Sequence, residues 1–237
     1  MLSQQLPLGI RLQDDATLDN FIASPHSPQE QVKSAVSKLL TSPSQENTSL
    51  FLCGPTASGV SHLLQAACQW ADAEGFSSQY FPLSELLDFP PQALFEGLEN
   101  MAVVCLDDVQ AIAGKPEWEQ ALFHFFNRVR DAGNVLLLGA DQVPGSLAMV
   151  LPDLQSRLLW GGVFQLPALT DEQKAEILQQ RANKIGMAMP EDVARFLLQR
   201  GPRSMAELID CLRQLDEASL AEQRKLTVPF VKKVLGL

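Results

Sequence analysis

Short apolar runs alternate with amphipathic segments along the first two thirds of the chain. Each run holds three to five residues and is continuously apolar, which is typical of strands buried on both faces of a parallel sheet. The runs that predict strands are Ser49–Cys53, Gln79–Phe81, Ala102–Leu106, Val135–Gly139 and Val163–Leu166. The segments between them repeat apolar residues at helical spacing, and they predict helices at Gln31–Leu40, Ser61–Glu74 and Trp118–Val129. The pattern therefore predicts an α/β fold with helices on both faces of a parallel sheet.

After Pro167 the spacing of apolar residues is helical only. Pairs at capping-box spacing and prolines near a helix start mark four helix beginnings, at Thr170/Gln173, Pro190, Ser204/Glu207 and Thr227/Pro229. Gly186 and Gly201 are the expected helix stops. We therefore expect a tail at residues 1–16, a sheet domain at residues 17–167 and a small all-helical domain at residues 168–237.

Charge and cysteine content narrow the expected partners and location. The chain has 18 Lys and Arg against 28 Asp and Glu, a formal net charge of −10, whereas tracking of DNA phosphates needs a cationic surface. We therefore expect no direct sequence-specific DNA binding. No apolar run approaches the ~20 residues of a membrane span, and the N terminus lacks the features of a secretory signal. The four cysteines form no Cys-x-x-Cys pair and are expected to be reduced, so we predict a cytoplasmic protein without a membrane partner.

A glycine-rich segment follows the first predicted strand. Residues 54–61, Gly-Pro-Thr-Ala-Ser-Gly-Val-Ser, match the phosphate-loop pattern G-x-x-x-x-G-K-[ST], except that Val60 stands at the lysine position. The glycines would let backbone N–H groups surround a phosphate at a helix N terminus, and Ser61 would reach Mg²⁺. The alternative is a glycine-rich turn between strand and helix that binds nothing.

Two acids follow the third predicted strand, and they favour the phosphate-loop interpretation over a plain turn. Asp107 and Asp108 end an apolar run, as in a Walker B element, where the first acid holds Mg²⁺ and the second polarises an attacking water. Both motifs come at the C-terminal ends of predicted parallel strands, where nucleotide sites form. Together they predict a P-loop NTPase fold.

Four stretches resemble the bacterial replication initiator family, DnaA, within the AAA+ superfamily. Residues 106–115 resemble its Walker B stretch, residues 17–21 the segment before its nucleotide site, and residues 61–64 the start of the helix after its phosphate loop. Ser156-Arg157-Leu158 with Trp160-Gly161 resembles its arginine-finger box. The resemblance extends from about residue 17 to the C terminus, and it implies an AAA+ domain followed by a helical lid.

The resemblance also implies roles for individual residues. Arg157 would be an arginine finger that acts on a nucleotide held by a neighbouring subunit, and Asp141 would be the polar sensor near the γ-phosphate, beside Asp107 and Asp108. A second sensor arginine is missing, because Ala206 aligns with it and Arg203 is the nearest substitute. Mg²⁺, where present, would be held by Ser61 and Asp107. The implied nucleotide-binding set is Phe21, Gly54, Pro55, Thr56, Ala57, Ser58, Gly59, Val60, Ser61, His62 and Arg203.

The two ends of the chain suggest a regulator of the initiator. The chain stops after the expected lid without a helix-turn-helix domain, and its tail contains Gln5, Leu6, Pro7 and Leu8, which resemble a ligand of the DNA sliding clamp. The implied partners are the DnaA initiator and the sliding clamp, the β subunit of DNA polymerase III; a homodimer stays open. The implied function is negative regulation of replication initiation, in which Arg157 stimulates hydrolysis of ATP on DnaA. Since the lysine is absent, we expect an ADP-like diphosphate rather than ATP.

Two other functions stay open at this point. One is a self-sufficient AAA+ ATPase, such as a helicase loader or a clamp-loader subunit, which the missing lysine and sensor arginine disfavour. The other is an adaptor that bridges clamp and initiator without a catalytic group. Leu158, Leu159 and Trp160 predict a partner-facing surface, because large apolar side chains are costly to expose. The phenylalanines of the predicted helix Trp118–Val129 are instead expected in the core; they are Phe123, Phe125 and Phe126.

Overall fold

The computed structural model describes residues 16–42 and 48–237, except for the side chain of Ala206. These residues divide into two compact units, with the division between Pro167 and Ala168. The predicted clamp-binding segment at residues 5–8 lies outside the described residues. No helix in the described part of the chain is both long enough and apolar enough to cross a membrane.

The first unit is built on a five-stranded parallel sheet, as the sequence predicts. Its strands, each within one residue of the prediction at either end, are β1 (Ser49–Cys53), β2 (Ser78–Pro82), β3 (Val103–Asp107), β4 (Val135–Ala140) and β5 (Gly162–Gln165). Their order across the sheet is β2-β3-β4-β1-β5. Because β1 and β3 both pair with β4, the C-terminal ends of all three strands meet at the centre of one sheet edge. The phosphate-loop and Walker B residues follow two of these ends.

Helices cover both faces of this sheet. They are α1 (Pro28–Thr41), α2 (Val60–Ala73), α3 (Pro91–Leu94), α4 (Pro116–Ala132) and α5 (Pro152–Leu158). One core contains Phe51, Val104 and Leu136 from the sheet together with α4 side chains, and the other contains Leu50, Leu52 and α2 side chains. Cys53, Cys68 and Cys105 are buried as free thiols, where they pack as small apolar residues.

Helix starts are set by local capping that the periodicity alone does not show. Helix α1 begins three residues before the prediction because the Ser27 side chain accepts a hydrogen bond from the Glu30 N–H and Pro28 occupies the first turn. Helix α4 begins at Pro116, a proline in the first turn, without a side-chain cap, and it ends at Ala132, where Gly133 with a φ of 73° is the C-cap.

The second unit is entirely helical in its described residues. It contains α6 (Asp171–Lys184), α7 (Glu191–Arg200), α8 (Met205–Glu222) and α9 (Val228–Leu235) around a core of its own. The capping box predicted at Thr170 is present, with Gln173 N–H to Thr170 Oγ1 at 3.2 Å and Thr170 N–H to Gln173 Oε1 at 2.9 Å. At Ser204 only half of the box forms, because the Glu207 side chain accepts from the Ser204 hydroxyl and not from its backbone.

Candidate nucleotide site and arginine face

The loop between β1 and α2 is wrapped too tightly for side chains at its two glycines. A Cβ on Gly54 would lie 2.5 Å from the Leu166 carbonyl oxygen and 2.6 Å from Ser58 Oγ. Gly59 has a φ of 104°, and a Cβ there would lie 2.7 Å from the ring of Phe21. Both glycines of the phosphate-loop pattern are therefore required by the local geometry.

The start of α2 offers donors to an anion. Its N-cap is Gly59, so no side chain caps the helix, and its first turn carries no acidic residue. The first N–H groups of a helix lack intrahelical partners and favour a phosphate. Ser58 Oγ is buried and has no hydrogen-bond partner in the described part of the chain. The uncapped helix and this hydroxyl fit the phosphates of a nucleotide.

The segment before α1 is attached to the same loop. His62 Nε2 lies 3.0 Å from the Thr17 carbonyl oxygen, and the rings of Phe21 and His62 are 5.8 Å apart. Phe21 is buried against Gly59. The structure thus brings two residues of the implied nucleotide set, Phe21 and His62, to the loop that carries the glycines.

The Val60 side chain is buried at the position where the pattern expects a cation. Its exposed fraction is 6%, and it belongs to the core on the α2 face of the sheet. A Cβ on Gly139 of β4 would meet Val60 Cγ1 at 2.9 Å and Asp107 Oδ1 at 2.6 Å. The Walker B carboxylate and Val60 therefore both approach the bare backbone of the central strand.

Asp107 is buried and held by neutral donors. Tyr80 Oη donates to Asp107 Oδ2 at 2.8 Å, the Asp108 N–H donates to Oδ1 at 2.9 Å, and the Ser61 hydroxyl also bonds this carboxylate. Burial raises the pKa of Asp107, while the hydrogen bonds from Ser61 and Tyr80 lower it in part. Burial raises the pKa of Tyr80 far above its ordinary value, so this phenol remains a donor.

The contact between Ser61 and Asp107 joins the two residues predicted to hold Mg²⁺. A hydroxyl and a carboxylate are suitable oxygen ligands, and Mg²⁺ usually takes its other ligands from phosphates and water. The described residues contain no group of three or more His, Cys, Asp or Glu side chains placed to hold a metal alone. The donor set therefore fits a metal that comes with a nucleotide.

Asp108 is engaged by its neighbours. Its φ is 57°, in the left-handed region, and its two carboxylate oxygens accept from Ser84 Oγ at 2.5 Å and Gln110 Nε2 at 3.0 Å. Gln110 Oε1 accepts from the backbone N–H of Asp141 at 3.2 Å, whereas the Asp141 side chain is exposed. The sequence prediction named Asp108 and Asp141 but missed Ser84 and Gln110, which contact them, and it also missed Tyr80, which contacts Asp107.

Arginine and aromatic side chains cluster beside α5. The Arg157 guanidinium lies 4.6 Å from the ring centroid of Trp160 and 5.9 Å from that of Phe123, and the Arg130 guanidinium lies 5.0 Å from Trp160. Trp160 is 54% exposed and Leu159 is 52% exposed. We call Arg130, Arg157, Phe123 and Trp160 the arginine face.

The prediction that Leu158 faces a partner is wrong. Leu158 is buried in the core that contains α4 side chains, because it shares a stripe of α5 with Leu154, one helical turn earlier. The prediction for the phenylalanines is confirmed at Phe125 and Phe126, which are buried, while Phe123 is only half-buried and reaches the arginine face.

Glu119 is a buried carboxylate that the sequence prediction missed. It lies in α4, and it accepts from the Gly114 N–H at 2.7 Å, from the Val150 N–H at 2.8 Å and from the Leu151 N–H at 2.7 Å. Gly114 follows the Walker B turn, and Leu151 is the N-cap of α5. Glu119 thus ties the end of that turn to the start of the helix that carries Arg157. A charge in line with the apolar residues of α4 was the available signal in the sequence.

Two implied residues lie in the second unit. Arg203 precedes α8 with an exposed side chain, and the backbone of Ala206 lies in the first turn of α8.

Comparison with known families assigns both units. Residues 12–165 match the model of the bacterial DnaA ATPase domain, and residues 171–235 match the model described as Hda, lid domain. An uncharacterized protein of Haemophilus influenzae is 41% identical over the full length of both chains.

Solved structures with the same fold include several initiators. Domain III of the Thermotoga maritima replication initiation protein DnaA is 21% identical with a TM-score of 0.77, and the match covers 96% of this chain and 98% of that one. DnaA from Aquifex aeolicus bound to AMPPCP is 23% identical with a TM-score of 0.72, covering 90% of this chain and 71% of that one. A Thermotoga maritima RuvB mutant is 15% identical with a TM-score of 0.67, and the match covers 93% of this chain and 71% of that one. The fold is therefore that of AAA+ proteins.

Proposed function

Because this chain belongs to the bacterial DnaA family of AAA+ proteins and carries an Hda-type lid, we propose that it is a negative regulator of replication initiation. It holds a nucleotide at the loop between β1 and α2 and presents Arg157 to ATP bound on a DnaA initiator. Hydrolysis of that ATP then prevents re-initiation. The observation that carries this proposal is the position of Arg157 at a partly exposed face, beside Trp160.

Nucleotide binding is supported by the loop itself. The uncapped start of α2, the buried Ser58 hydroxyl without a partner and the pair Ser61–Asp107 together offer what a Mg²⁺-bound phosphate chain needs. Nucleotide is also bound by the Aquifex aeolicus protein with the same fold, as its AMPPCP complex indicates.

We infer that the resident nucleotide is a diphosphate. Val60 supplies no charge to the outer phosphates, and both oxygens of Asp108 are already bonded to Ser84 and Gln110. A lost charge-assisted hydrogen bond is worth roughly 1.5–3 kcal/mol, about 10–100-fold in affinity. Turnover of ATP by this protein alone is therefore expected to be negligible, which disfavours a self-sufficient ATPase.

The decisive experiment replaces Arg157. We expect Arg157→Ala to keep its melting temperature and its nucleotide but to lose stimulation of ATP hydrolysis on the initiator, by about 10³-fold or more, as for arginine fingers of GTPase activators. Arg157→Lys should rescue little because an ammonium group lacks the planar fork of donors. Arg195→Ala, which removes an exposed arginine from the second unit, is the control. Full stimulation by Arg157→Ala would leave only an adaptor function.

Clamp binding is the remaining part of the proposal, and it depends on Gln5, Leu6, Pro7 and Leu8, outside the described residues. Pro7 favours an extended chain, which lowers the entropy cost when a groove binds the segment. We expect Gln5→Ala combined with Leu8→Ala to abolish clamp capture in a pull-down without changing the melting temperature. Gln4→Ala is the matched control, and retention of the clamp by the double variant would remove the tail from the mechanism.

A further inference from the structure

The guanidinium of Arg157 is held by aromatic rings. Trp160 lies 4.6 Å and Phe123 lies 5.9 Å from it, both within the distance at which a cation is attracted to the ring. Trp160 is also 5.0 Å from the Arg130 guanidinium, whose own donors bond Asp131 at 2.8 and 3.1 Å. One exposed indole ring therefore contacts two cations, and within the described part of the chain only Arg130 has an acid as a partner.

A contact with an aromatic ring leaves the N–H donors of a guanidinium available, whereas a hydrogen bond or ion pair uses them. Among the described residues, no hydrogen bond or ion pair occupies the Arg157 guanidinium, whereas Arg128 is bonded to Glu99 and to the Phe95 carbonyl. A guanidinium has five N–H donors in its plane, and stacking on an aromatic ring leaves them available. The aromatic contact thus fixes the cation without using the donors that a phosphate needs.

We propose that Trp160 is a positioning residue that acts through Arg157. The proposal rests on the proposed function, since it concerns how the finger is delivered. Trp160 holds the Arg157 guanidinium, with its donors free, in one of its many rotamers before the ATP-bound partner arrives. The Arg157 side chain then loses less conformational entropy when it binds the ATP of the partner. Arg130 adds a second cation contact on the same ring and so limits where the indole can lie.

The alternative role for an exposed indole is contact with the partner. Tryptophan is common at the centres of interfaces, and its loss there weakens binding. The two roles differ in the kinetics. A positioning residue changes the maximal rate of hydrolysis on the saturated partner, whereas a contact residue changes the concentration that gives half of that rate.

The experiment measures single-turnover hydrolysis of ATP on the initiator while the regulator, with clamp on DNA, is titrated to saturation. Trp160→Leu keeps an apolar side chain but removes the ring, and Trp160→Phe keeps a ring. We expect Trp160→Leu to lower the maximal rate about three- to tenfold, with the half-saturating concentration unchanged within about twofold. Trp160→Phe should recover most of the rate. Phe76→Leu, at an aromatic residue that is 51% exposed, should match wild type.

A second comparison tests whether Trp160 acts through Arg157. In the Arg157→Ala background, Trp160→Leu should cause no further loss of rate, because the group that it positions is already gone. A further loss would overturn the proposal, as would a wild-type maximal rate for Trp160→Leu or a change in half-saturation alone. If Arg157→Ala itself retained full stimulation, the proposed function would fail first and this inference with it. If only the Trp160 variants behaved as wild type, the proposed function would stand.

Discussion

The loop between β1 and α2, with the adjacent Asp107, and the arginine face differ in which charged side chains they hold and in how those side chains are paired. At the loop, the carboxylate of Asp107 is only 4% exposed, and its side-chain partners, Tyr80 and Ser61, are neutral. At the arginine face, Arg157 is partly exposed and Trp160 is exposed, and the Arg157 guanidinium contacts aromatic rings without a hydrogen bond or ion pair to any other described residue. Among the described residues, the Asp107 carboxylate thus has no basic side chain as a partner and the Arg157 guanidinium has no acidic one, whereas Arg130 is paired with Asp131.

Under the proposed function, this difference separates a region that retains a ligand from a region that contacts another molecule. A buried site with an uncapped helix start gains its balancing charges from what it binds, so a nucleotide becomes part of the folded domain. A guanidinium stabilised by rings keeps its N–H donors for a group on another molecule. The missing lysine belongs to the first region, so under the proposed function its absence would lower ATP turnover there and leave the arginine face unchanged.

The largest effect on stability is expected at Glu119, which connects the two regions. Glu119→Ala leaves the N–H groups of Gly114, Val150 and Leu151 without their acceptor, and we expect a loss of about 2–3 kcal/mol in the free energy of unfolding. Urea denaturation measures this loss, and hydrogen exchange at Val150 and Leu151 should become faster.

The control for this variant is Glu117→Ala, an exposed acid in the same first turn of α4. It should change the unfolding free energy by no more than about 0.5 kcal/mol. Equal effects of the two substitutions would show that the hydrogen bonds of Glu119 do not specifically stabilise the start of α5.

A smaller effect is expected when a cation is restored to the nucleotide loop. Val60→Lys should raise affinity for a triphosphate relative to a diphosphate by about 10–100-fold, because the ammonium group reaches the outer phosphates. Val60→Met is the matched control, since it has an unbranched stem without charge. Calorimetry with both nucleotides makes the comparison, and an unchanged ratio would mean that the loop does not contact outer phosphates.

The smallest effect is expected at Asp107. Since burial raises its pKa above the ordinary value of 3.8, ionisation of this carboxyl costs stability, and the cost grows as pH rises from about 3.8 through the raised pKa. Asp107→Asn, which cannot ionise, should therefore be about 1 kcal/mol more stable than wild type at pH 7 without nucleotide.

The pH dependence separates this cause from packing. The advantage of Asp107→Asn in denaturation experiments should shrink as pH falls towards 4, where the wild-type carboxyl takes up its proton. An advantage that is constant with pH would attribute the gain to shape and not to charge.

Predictions from the sequence succeeded where a local pattern determines the structure. The strands are continuous apolar runs, and their bounds follow because buried strands end where polar residues or glycine begin, as at Cys53 and Gly54. Helix starts were less accurate at α1, since periodicity shows only from Gln31 whereas the helix begins at the cap formed by Ser27 and Pro28.

The missed residues act across long stretches of sequence. Tyr80 is 27 positions from Asp107, Ser84 is 24 positions from Asp108 and Glu119 is 31 positions from Val150. Such contacts depend on the register of β2 against β3 and on the path of loops, which no motif encodes. The cost of exposing large apolar side chains predicts a partner-facing surface for Leu158 together with Leu159 and Trp160, and only the packing of α5 shows that Leu158 lies on the buried side of the helix.

The attachment of the segment before α1 to the phosphate loop has a mechanical consequence. The chain that leads away from Thr17 towards the N terminus is connected to α2 through the contact between His62 and the Thr17 carbonyl, and Phe21 lies on Gly59. A force that pulled the chain at Thr17 away from the domain would act on these two contacts before it reached the sheet. The loop between β1 and α2 would therefore be among the first elements to be displaced by that force.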